Sequence, residues 1–518
     1  MLIKILLLAV FFAVTVGIGL YFRKNNTNVN DFVLGGRAVG PWLTAFAYGT
    51  SYFSAVVFVG YAGQFGWKFG ISAVWIGIGN ALIGSLLAWV VLGRRTRIMT
   101  RHLGSATMPE FFGARFQSSG LKIGASAITF IFLVPYTASL YNGLSRLFAM
   151  AFGIDFTICI VVMAVLTGVY VIAGGYVATA VNDFIQGLIM LAGLIATVAA
   201  VLQANGGFTA SLDALSRIND AAVAKSPGIF ASFFGPDPLS LLGVVLLTSV
   251  GTWGLPQMVQ KFYAIKSEKS IGKGTVISTL FALVISGGCY FLGGFGRLFA
   301  DRVNVAMDGF DAIVPAMLSG FSPLLIGIVV MLVLSASMST LSALVMTSAT
   351  TFTLDFLNGT IIKEMNDRRQ LLVIRLLIAV FILISSVIAI IQYKGGVSFI
   401  AQLMGISWGA LAGAFLAPFL YGLYWRGTTR ASVWICFLFS TLLMTSNIFF
   451  RAGFPTLLQS PINAGAFAML AGLVIVPAVS LVTRAPQVQE TEKIFSCYER
   501  PVTVRARDSL GGENESAD

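Results

Sequence analysis

Residues 332–355 read LVLSASMSTLSALVMTSATTFTLD, an apolar stretch with five hydroxyl side chains within eight residues. These are Ser335, Ser337, Ser339, Thr340 and Ser342. On an α-helix, Ser335, Ser339 and Ser342 share one face, and Thr340 lies about a quarter turn away. Uncharged oxygens of this kind can replace the hydration water of a weakly charged cation such as sodium. Small hydroxyl residues also suit close helix packing or bonding back to the preceding turn, so two interpretations stand.

The chain as a whole is too apolar for a soluble protein. Its 518 residues are 57% hydrophobic and 10% charged, with a mean hydropathy of +0.88. Apolar segments long enough to span a bilayer predict thirteen transmembrane helices, near residues 3–22, 40–65, 69–93, 123–152, 156–176, 178–203, 239–260, 274–300, 324–356, 371–392, 398–425, 431–450 and 462–483. The first is expected to be a retained helix, because Arg23 and Lys24 follow it without a small-residue cleavage site.

The basic residues predict the orientation of these helices. Most of the 33 Lys and Arg residues, Lys261 among them, fall in alternate connections and in the C-terminal tail. Because cytoplasmic loops carry the excess of positive charge, we expect the N-terminus outside and the C-terminus in the cytoplasm of the plasma (inner) membrane. The net charge of +12 then reflects topology rather than a nucleic-acid surface.

The sequence offers few residues for redox, zinc or acid–base chemistry. The four cysteines are scattered without a CxxC pair, and the one histidine, His102, lies in a basic loop. A membrane enzyme would need paired acids, an activated nucleophile or a metal site, and the apolar segments offer a single convincing carboxylate. We therefore expect no enzymatic activity.

Two of the predicted spans are interrupted by glycine or proline. Residues 41–66 read PWLTAFAYGTSYFSAVVFVGYAGQFG, and residues 246–262 read LLTSVGTWGLPQMVQKF. Pro256 removes a backbone donor, so carbonyls near Thr252 and Trp253 lose helical partners. Unpaired backbone is tolerated in a bilayer where it lines a cavity or coordinates a ligand. Each span alone could be an ordinary kinked helix, but two at matching positions of two halves indicate inverted repeats with a binding site at the midplane.

Asp183 is the carboxylate that stands out. It lies in the segment GGYVATAVNDFIQG, residues 174–187, close to the start of a predicted span. A carboxylate in a membrane helix marks an ion or proton pathway by default. The alternative is an interfacial side chain that caps the helix or reaches the cytoplasm. Asp355 lies nearer a predicted helix end and is expected to be an interfacial anchor.

Several ordered motifs resemble the sodium/solute symporter family, whose members take up proline, pantothenate, sugars, sialic acid or monocarboxylates with sodium. They are the segment DFVLGGRAVGPWLTAFAYGTSYFSA, the GG…NDFIQG segment, GLPQMVQKFYAIKS, SASMSTLSAL and FLAPFLYGLYW. The resemblance covers about residues 30–430. It implies an all-α polytopic fold of the LeuT-like kind, with a 5+5 inverted-repeat core, one leading helix and two trailing helices.

The resemblance also implies a sodium site between the first and eighth core helices. Carried over by motif, its ligands are the carbonyls of Thr50, Phe53 and Ala336 and the hydroxyls of Ser339 and Thr340. Five oxygens without a carboxylate suit weak, exchangeable sodium binding, since tight calcium sites normally include carboxylates.

Some family members hold a second sodium near the fifth-helix aspartate. Asp183, Ser339 and Ser342 match that site, whereas Ala343 stands where those members have another hydroxyl. The resemblance therefore leaves two roles for Asp183 and Ser342, a second sodium site or a network that tunes the first. One coupled sodium is expected ahead of two.

The solute is less clearly encoded. The GLPQ and TSYFSA segments look more like the pantothenate and monocarboxylate or amino-acid branches than the sugar branch, and a half-helix N-terminus suits a carboxylate. A sugar or sialic acid remains the alternative, and each candidate residue could instead serve packing. The expected lining residues are Tyr52, Ser54, Gln64, Tyr136, Asn142, Trp253, Gln257, Gln402 and Ser407.

The chain is predicted to form one transmembrane transporter domain over residues 1–487. Its core repeats cover about 40–203 and 239–425, and residues 488–518 form a cytoplasmic tail expected to be disordered. The expected partners are the coupling Na⁺, a small organic solute and membrane lipid, without nucleic acid or an obligate protein partner. A solute sensor or channel on the same fold remains the alternative class; the short tail argues against the sensor.

Overall fold

The computed structural model describes residues 2–22, 28–220, 226–358, 360–362, 365–394 and 400–499. Within these ranges the regular structure is helical, apart from two isolated β-bridges. The all-α prediction is therefore confirmed.

The α-helices follow one another along the chain, joined in places by short 3₁₀ and π-helical turns. In order they are α1 (Leu2–Phe22), α2 (Val29–Leu34), α3 (Pro41–Tyr52), α4 (Ala62–Phe69), α5 (Val74–Gly79), α6 (Arg94–His102), α7 (Met108–Arg115), α8 (Ser119–Phe152), α9 (Phe156–Ala204), α10 (Phe208–Ser216), α11 (Pro238–Val250), α12 (Pro256–Ala264), α13 (Glu268–Gly294), α14 (Val305–Asp308), α15 (Ile313–Leu318), α16 (Pro323–Thr351), α17 (Asp367–Lys394), α18 (Ile400–Tyr424), α19 (Arg430–Phe449), α20 (Thr456–Gln459), α21 (Pro461–Val482) and α22 (Val488–Phe495).

Ten helical stretches of the described chain are long and apolar enough to cross a membrane, and α11 with α12 form a bent eleventh. Two of the ten, Val56–His102 and Phe156–Ala204, have 47 and 49 residues. At about 1.5 Å per residue each is about 70 Å long, more than twice the hydrocarbon thickness. The positive φ angles of Gly70 (64°) and Gly175 (63°) interrupt them. Counting each as two would give thirteen spans, and that number stays a prediction.

The two predicted interruptions are present. α3 ends at Tyr52, and the chain resumes as a π-helical turn, Val56–Tyr61, that leads into α4. α11 and α12 meet at an angle of 40°, with Pro256 in the first turn of α12. Proline fits there because the first helical residue needs no backbone donor.

Gly254 at the second break allows a close helix contact. A β-carbon at this position would lie 2.7 Å from the backbone nitrogen of Leu416 and 2.9 Å from the α-carbon of Ala412. Both atoms belong to α18, so a glycine is needed where α11 and α12 meet for this bend to approach that helix.

Two charged residues differ from their predicted places. Lys261, assigned to a cytoplasmic connection, is 4% exposed within α12. Asp355, expected as an interfacial anchor, is fully buried and accepts a 2.6 Å hydrogen bond from the Thr107 hydroxyl. The Lys122 ammonium lies 3.7 Å from its other oxygen. Hydropathy placed both residues near helix ends but could not show that neighbouring elements cover them.

The predicted disorder of the tail is wrong for its first part. Residues 488–495 form α22, in which Thr491, Ile494 and Phe495 are buried. The Phe495 ring lies 4.9 Å from the Arg115 guanidinium, and the Tyr498 hydroxyl donates to the carbonyl of Arg95. Arginine stacking compensates for the low hydrophobicity on which the prediction rested. The rest of the tail, residues 500–518, lies outside the described residues.

Candidate functional site

The break after α3 exposes a backbone acceptor in the protein interior. The last turn of α3 closes with the N–H of Phe53 bonded to the carbonyl of Gly49, 3.1 Å apart. The Thr50 carbonyl would take its hydrogen bond from residue 54 if the helix continued. Instead it accepts from the hydroxyls of Ser339, at 3.0 Å, and Thr340, at 3.1 Å.

The same two hydroxyls also reach the Ala336 carbonyl. Thr340 lies 3.0 Å from this oxygen and Ser339 lies 3.2 Å from it. Four oxygens from two helices thus form a compact cluster, and Thr50, Ser339 and Thr340 are 0% exposed. The separations of 3.0–3.2 Å are those of hydrogen bonds between the hydroxyls and the carbonyls. Without a carboxylate, the set fits a monovalent cation better than a divalent one.

Phe53, the fifth predicted ligand, lies at the break itself. Its ring stacks on Tyr52 at 4.2 Å, and it lines a small buried void together with Ala336. No hydrogen bond in the described part of the chain links the Phe53 carbonyl to the four-oxygen cluster. Its role as a ligand stays a prediction.

Two of the other hydroxyls of α16 bond within their own helix, as the packing interpretation of the sequence expects. Ser337 donates to the carbonyl of Val333 at 2.7 Å, and Ser342 donates to the carbonyl of Ser339 at 2.8 Å. Both are therefore bonded back into their own helix. Ser339 and Thr340 are the pair that bridges to α3.

Asp183 is buried among charged and phenolic neighbours. It is 1% exposed, and neither carboxylate oxygen has a hydrogen-bond partner among the described residues. Lys261 is its positive neighbour, and the Lys261 ammonium lies 5.2 Å above the Tyr176 ring. The tyrosine Tyr170 links the same helix, α9, to α16 by a 2.6 Å hydrogen bond to the Met338 carbonyl.

Both predicted roles of Asp183 and Ser342, a second sodium site or a network that tunes the first, stay predictions. Sequence reasoning missed Lys261 as the charged neighbour of Asp183 because it counted Lys261 among the loop cations. No group of three or more His, Cys, Asp or Glu side chains suited to a metal occurs in the described ranges.

An aromatic cluster lies beside the break. The Trp408 ring is 6.1 Å from the Tyr52 ring and 6.0 Å, edge-on, from the Tyr136 ring. All three side chains are buried. The Tyr136 hydroxyl lies beside Ser54 and the Trp408 indole. Neither this hydroxyl nor the indole nitrogen has a partner at full hydrogen-bond geometry among the described residues. Trp408 was not predicted, although its position next to Ser407 in α18 could have suggested it.

Two predicted polar residues, Ser54 and Gln257, are also buried. We call Tyr52, Ser54, Tyr136, Gln257 and Trp408 together the solute cluster, in which Gln257 is included because the sequence predicts it as a lining residue. Gln257 is 1% exposed, and both of its amide atoms lack partners in the described chain. Ser54 is buried beside Tyr136. A solute could satisfy these orphaned groups, whose burial without partners is otherwise costly.

Other predicted lining residues point elsewhere. The indole of Trp253 donates to the carbonyl of Ile83 at 3.0 Å, and the Asn142 amide donates to Gln392 at 3.3 Å. The Ser407 hydroxyl donates to the carbonyl of Phe132 at 2.5 Å. These three side chains are engaged in contacts between helices.

Gln64 and Gln402 line a different cavity, of about 720 Å³, together with Lys68 and Arg451. Arg451 donates to the Gln402 amide oxygen at 3.2 Å. None of the solute-cluster residues lines this cavity, so Gln64 and Gln402 lie apart from that cluster.

Comparisons with solved structures identify the fold. The fold resembles that of a Na⁺-coupled sialic acid symporter in a substrate-bound outward-open state, with a TM-score of 0.74, 15% identity, and coverage of 94% of this chain and 99% of that one. It also resembles the nucleobase-cation-symport-1 family transporter Mhp1, with a TM-score of 0.50, 14% identity, and coverage of 90% and 98%. These likenesses show that the protein has the LeuT-like fold.

The family follows from sequence. The model of the sodium:solute symporter family matches residues 32–436. The sodium/proline symporter of Staphylococcus aureus strain JH9 is 30% identical over 437 residues, which cover 82% of each chain. The chain belongs to the sodium:solute symporter family, and Na⁺ is its coupling ion. It is a multi-pass membrane protein.

Proposed function

We propose that this protein carries a small carboxylate or amino acid, of the proline, pantothenate or monocarboxylate kind, together with Na⁺ by alternating access. The observation that carries the proposal is the meeting of Ser339 and Thr340 with the Thr50 carbonyl at the end of a broken helix. A site formed by two helices from different halves of the core can be assembled and taken apart by their relative motion.

Sodium would be held by the carbonyls of Thr50, Phe53 and Ala336 and the hydroxyls of Ser339 and Thr340. Each hydroxyl now donates to the carbonyls beside it. With an ion in place it would turn its lone pairs to the ion and its proton elsewhere, so binding exchanges weak hydrogen bonds for ion contacts.

The solute would lie against the aromatic rings of the solute cluster. Tyr136, Trp408 and Gln257 supply hydrogen-bond donors suited to carboxylate oxygens, while the rings of Tyr52 and Trp408 suit an apolar body. The likeness to the sodium/proline symporter supports a solute of this size and polarity.

In the cycle, sodium binding would stabilise the outward-open state, the solute would close it, and movement of the core helices would release both inside. The membrane potential supplies about 2.3 kcal/mol per charge for each 100 mV. We place the N-terminus outside and the C-terminus in the cytoplasm of the inner membrane.

The test is a thermal-shift screen of the purified protein against carboxylates, amino acids and sugars, first in Na⁺ and then in K⁺. A stabilising solute seen in Na⁺ but not in K⁺ identifies the substrate and its coupling together. Stabilisation of equal size in both salts would contradict coupling.

A sugar or sialic acid is the second candidate. Gln257, with both amide atoms lacking partners, could pair with hydroxyl groups as well as with a carboxylate. A sugar that stabilises the protein more than any amino acid or carboxylate would favour it. A sensor or channel would be distinguished by binding without saturable, Na⁺-driven accumulation in proteoliposomes.

A further inference from the structure

The connection between α13 and α16, residues 295–322, covers one end of the span that carries the sodium site. We call this segment the lid. It contains α14 and α15. We call α3, the turn Val56–Tyr61 and α4 the broken span. A β-carbon on Gly63 of α4 would lie 3.0 Å from the Phe310 carbonyl oxygen, so the lid touches the backbone of the broken span. Ile313 and Val314 on the lid are fully buried.

One carboxylate of the lid is buried at this contact. Asp311 is 1% exposed, and its Oδ2 atom accepts a 3.3 Å hydrogen bond from the backbone N–H of Ile400. Ile400 is the first residue of α18, the helix that carries Trp408 of the solute cluster. The Oδ1 atom of Asp311 would lie 3.7 Å from a β-carbon on Gly60. Asp311, a residue of the lid, thus contacts both the broken span and α18.

We infer that Asp311 is a positioning residue that fixes the lid on the broken span and α18, and that the charge on its carboxylate sets how readily the lid opens. The inference concerns the gating of the transport path and does not depend on the identity of the solute.

The charged group that faces Asp311 is Arg146 of α8. The Lys68 ammonium of α4 lies 5.4 Å from the ring of Phe310, the residue before Asp311. α18 contributes the N–H of Ile400. In the described chain Oδ1 accepts no hydrogen bond, so the buried carboxylate is only partly compensated.

Burial raises the pKa of Asp311 from 3.8 to about 6, against the opposing effects of Arg146 and the Ile400 N–H. In an open lid the carboxyl would be hydrated, with a pKa near its ordinary value. The proton then binds more tightly to the closed state, so acid favours closure and neutral pH favours opening. For pKa values of 3.8 and about 6, the ratio of open to closed lids falls about tenfold from pH 7.5 to pH 5.0.

The test measures lid position directly. Spin labels are placed on Met307→Cys in the lid and Phe450→Cys after α19, which are 83% and 72% exposed. The full chain, with its four native cysteines replaced by alanine, is studied in nanodiscs by double electron–electron resonance between pH 5.0 and pH 7.5. We expect a longer-distance population that declines about tenfold on acidification, relative to the short-distance population.

Asp311→Asn keeps an acceptor for Ile400 but cannot titrate. It should remain mostly closed throughout this range and lose the pH dependence. The matched control is Asp308→Asn, which removes an exposed carboxylate of the same lid and should leave the response intact. A pH response retained in Asp311→Asn, or lost in Asp308→Asn, would overturn the inference.

A second variant covers the case in which Asp311→Asn does not fold. Arg146→Gln removes the positive neighbour of Asp311, so the midpoint of the lid response should move to higher pH by about one unit. A purely structural role for Asp311 would leave that midpoint unchanged, and an unchanged midpoint refutes the assignment.

Discussion

Ser339 and Thr340 are the side chains on which the proposed sodium site depends most. Their hydroxyls join α16 to the Thr50 carbonyl of α3, and no other hydroxyl of the described α16 bridges to that atom. Removing either should weaken ion binding without leaving a large cavity, since only one or two atoms are lost.

We predict that Ser339→Ala and Thr340→Val each raise the Na⁺ concentration for half-maximal thermal stabilisation about tenfold. Loss of one ligand among five should cost about 1.4 kcal/mol, in the range of a single buried polar interaction. Differential scanning fluorimetry across a Na⁺ series at constant ionic strength measures the change.

The control for this pair is Ser337→Ala. Ser337 is also a buried hydroxyl of α16, but it bonds to the Val333 carbonyl of its own helix. It should leave the Na⁺ midpoint unchanged. Equal effects from Ser337→Ala and Ser339→Ala would show that α16 packing, and not ion coordination, is responsible.

The burial of individual charged residues was harder to predict than the contacts of the hydroxyl residues. The family resemblance marked Ser339 and Thr340 because their motif is specific, and their bonds to Thr50 follow from the break after α3. Asp355 and Lys261 lie near the ends of apolar runs, and sequence alone cannot show that Thr107 covers the first or that Asp183 faces the second. Burial at a helix end depends on which loops fold back over it.

Asp355 offers a test of that burial. Asp355→Ala leaves the Thr107 hydroxyl and the Lys122 ammonium without their acceptor, although Lys122 is partly exposed and can be hydrated. We expect a loss of roughly 2 kcal/mol in unfolding free energy, measured by denaturant unfolding in detergent. Asp308→Ala, which removes an exposed carboxylate, should cost much less; similar losses in both variants would contradict the burial of Asp355.

Among the helices, the second break is the one most constrained by packing. Gly254→Ala would set a β-carbon against the Leu416 nitrogen and the Ala412 α-carbon, backbone atoms of α18 that cannot rotate away. Overpacking of this kind should cost about 1–3 kcal/mol and lower the thermal midpoint.

Gly272 on α13 is the matched control, because nothing lies within 4 Å of a β-carbon at that position. Gly272→Ala should be neutral, or stabilising by up to about 1 kcal/mol through helix propensity. If Gly254→Ala were as stable as Gly272→Ala, the close approach of the bend between α11 and α12 to α18 would be wrong.

The two helix interruptions could be predicted because Gly and Pro act on the local backbone. The helix α22 could not be predicted in this way. α22 contains Glu490, Glu492 and Lys493, and its stability depends on partners far away in sequence. The Phe495 ring meets the guanidinium of Arg115 at 4.9 Å and that of Arg426 at 5.6 Å. A contact of this kind has no signature in the tail itself.

Over the whole molecule, hydropathy and the matched breaks were enough to predict an all-helical transporter with a repeat core. They could not fix the number of spans, since Val56–His102 and Phe156–Ala204 each run through a glycine interruption without a polar loop. Which residues line the solute site stays a prediction, because aromatic and amide side chains in apolar helices look alike whether they pack or bind. Trp253 and Asn142 turned out to contact neighbouring helices, while Trp408 joined the cluster.

The orientation of the molecule can be decided with α13 alone. Lys269 lies in its first turn and is exposed, and Met307 lies beyond its end in the exposed lid. Because α13 has 27 residues and is therefore about 40 Å long, these two positions are on opposite sides of a bilayer. In the cysteine-free background, we predict that a membrane-impermeant maleimide labels Met307→Cys in intact cells, whereas Lys269→Cys reacts only after permeabilisation. The expectation follows from the exposed residues Lys266, Lys269 and Lys273, which should face the cytoplasm. Labelling of Lys269→Cys but not Met307→Cys in intact cells would reverse the molecule in the membrane and place the lid on the inner side.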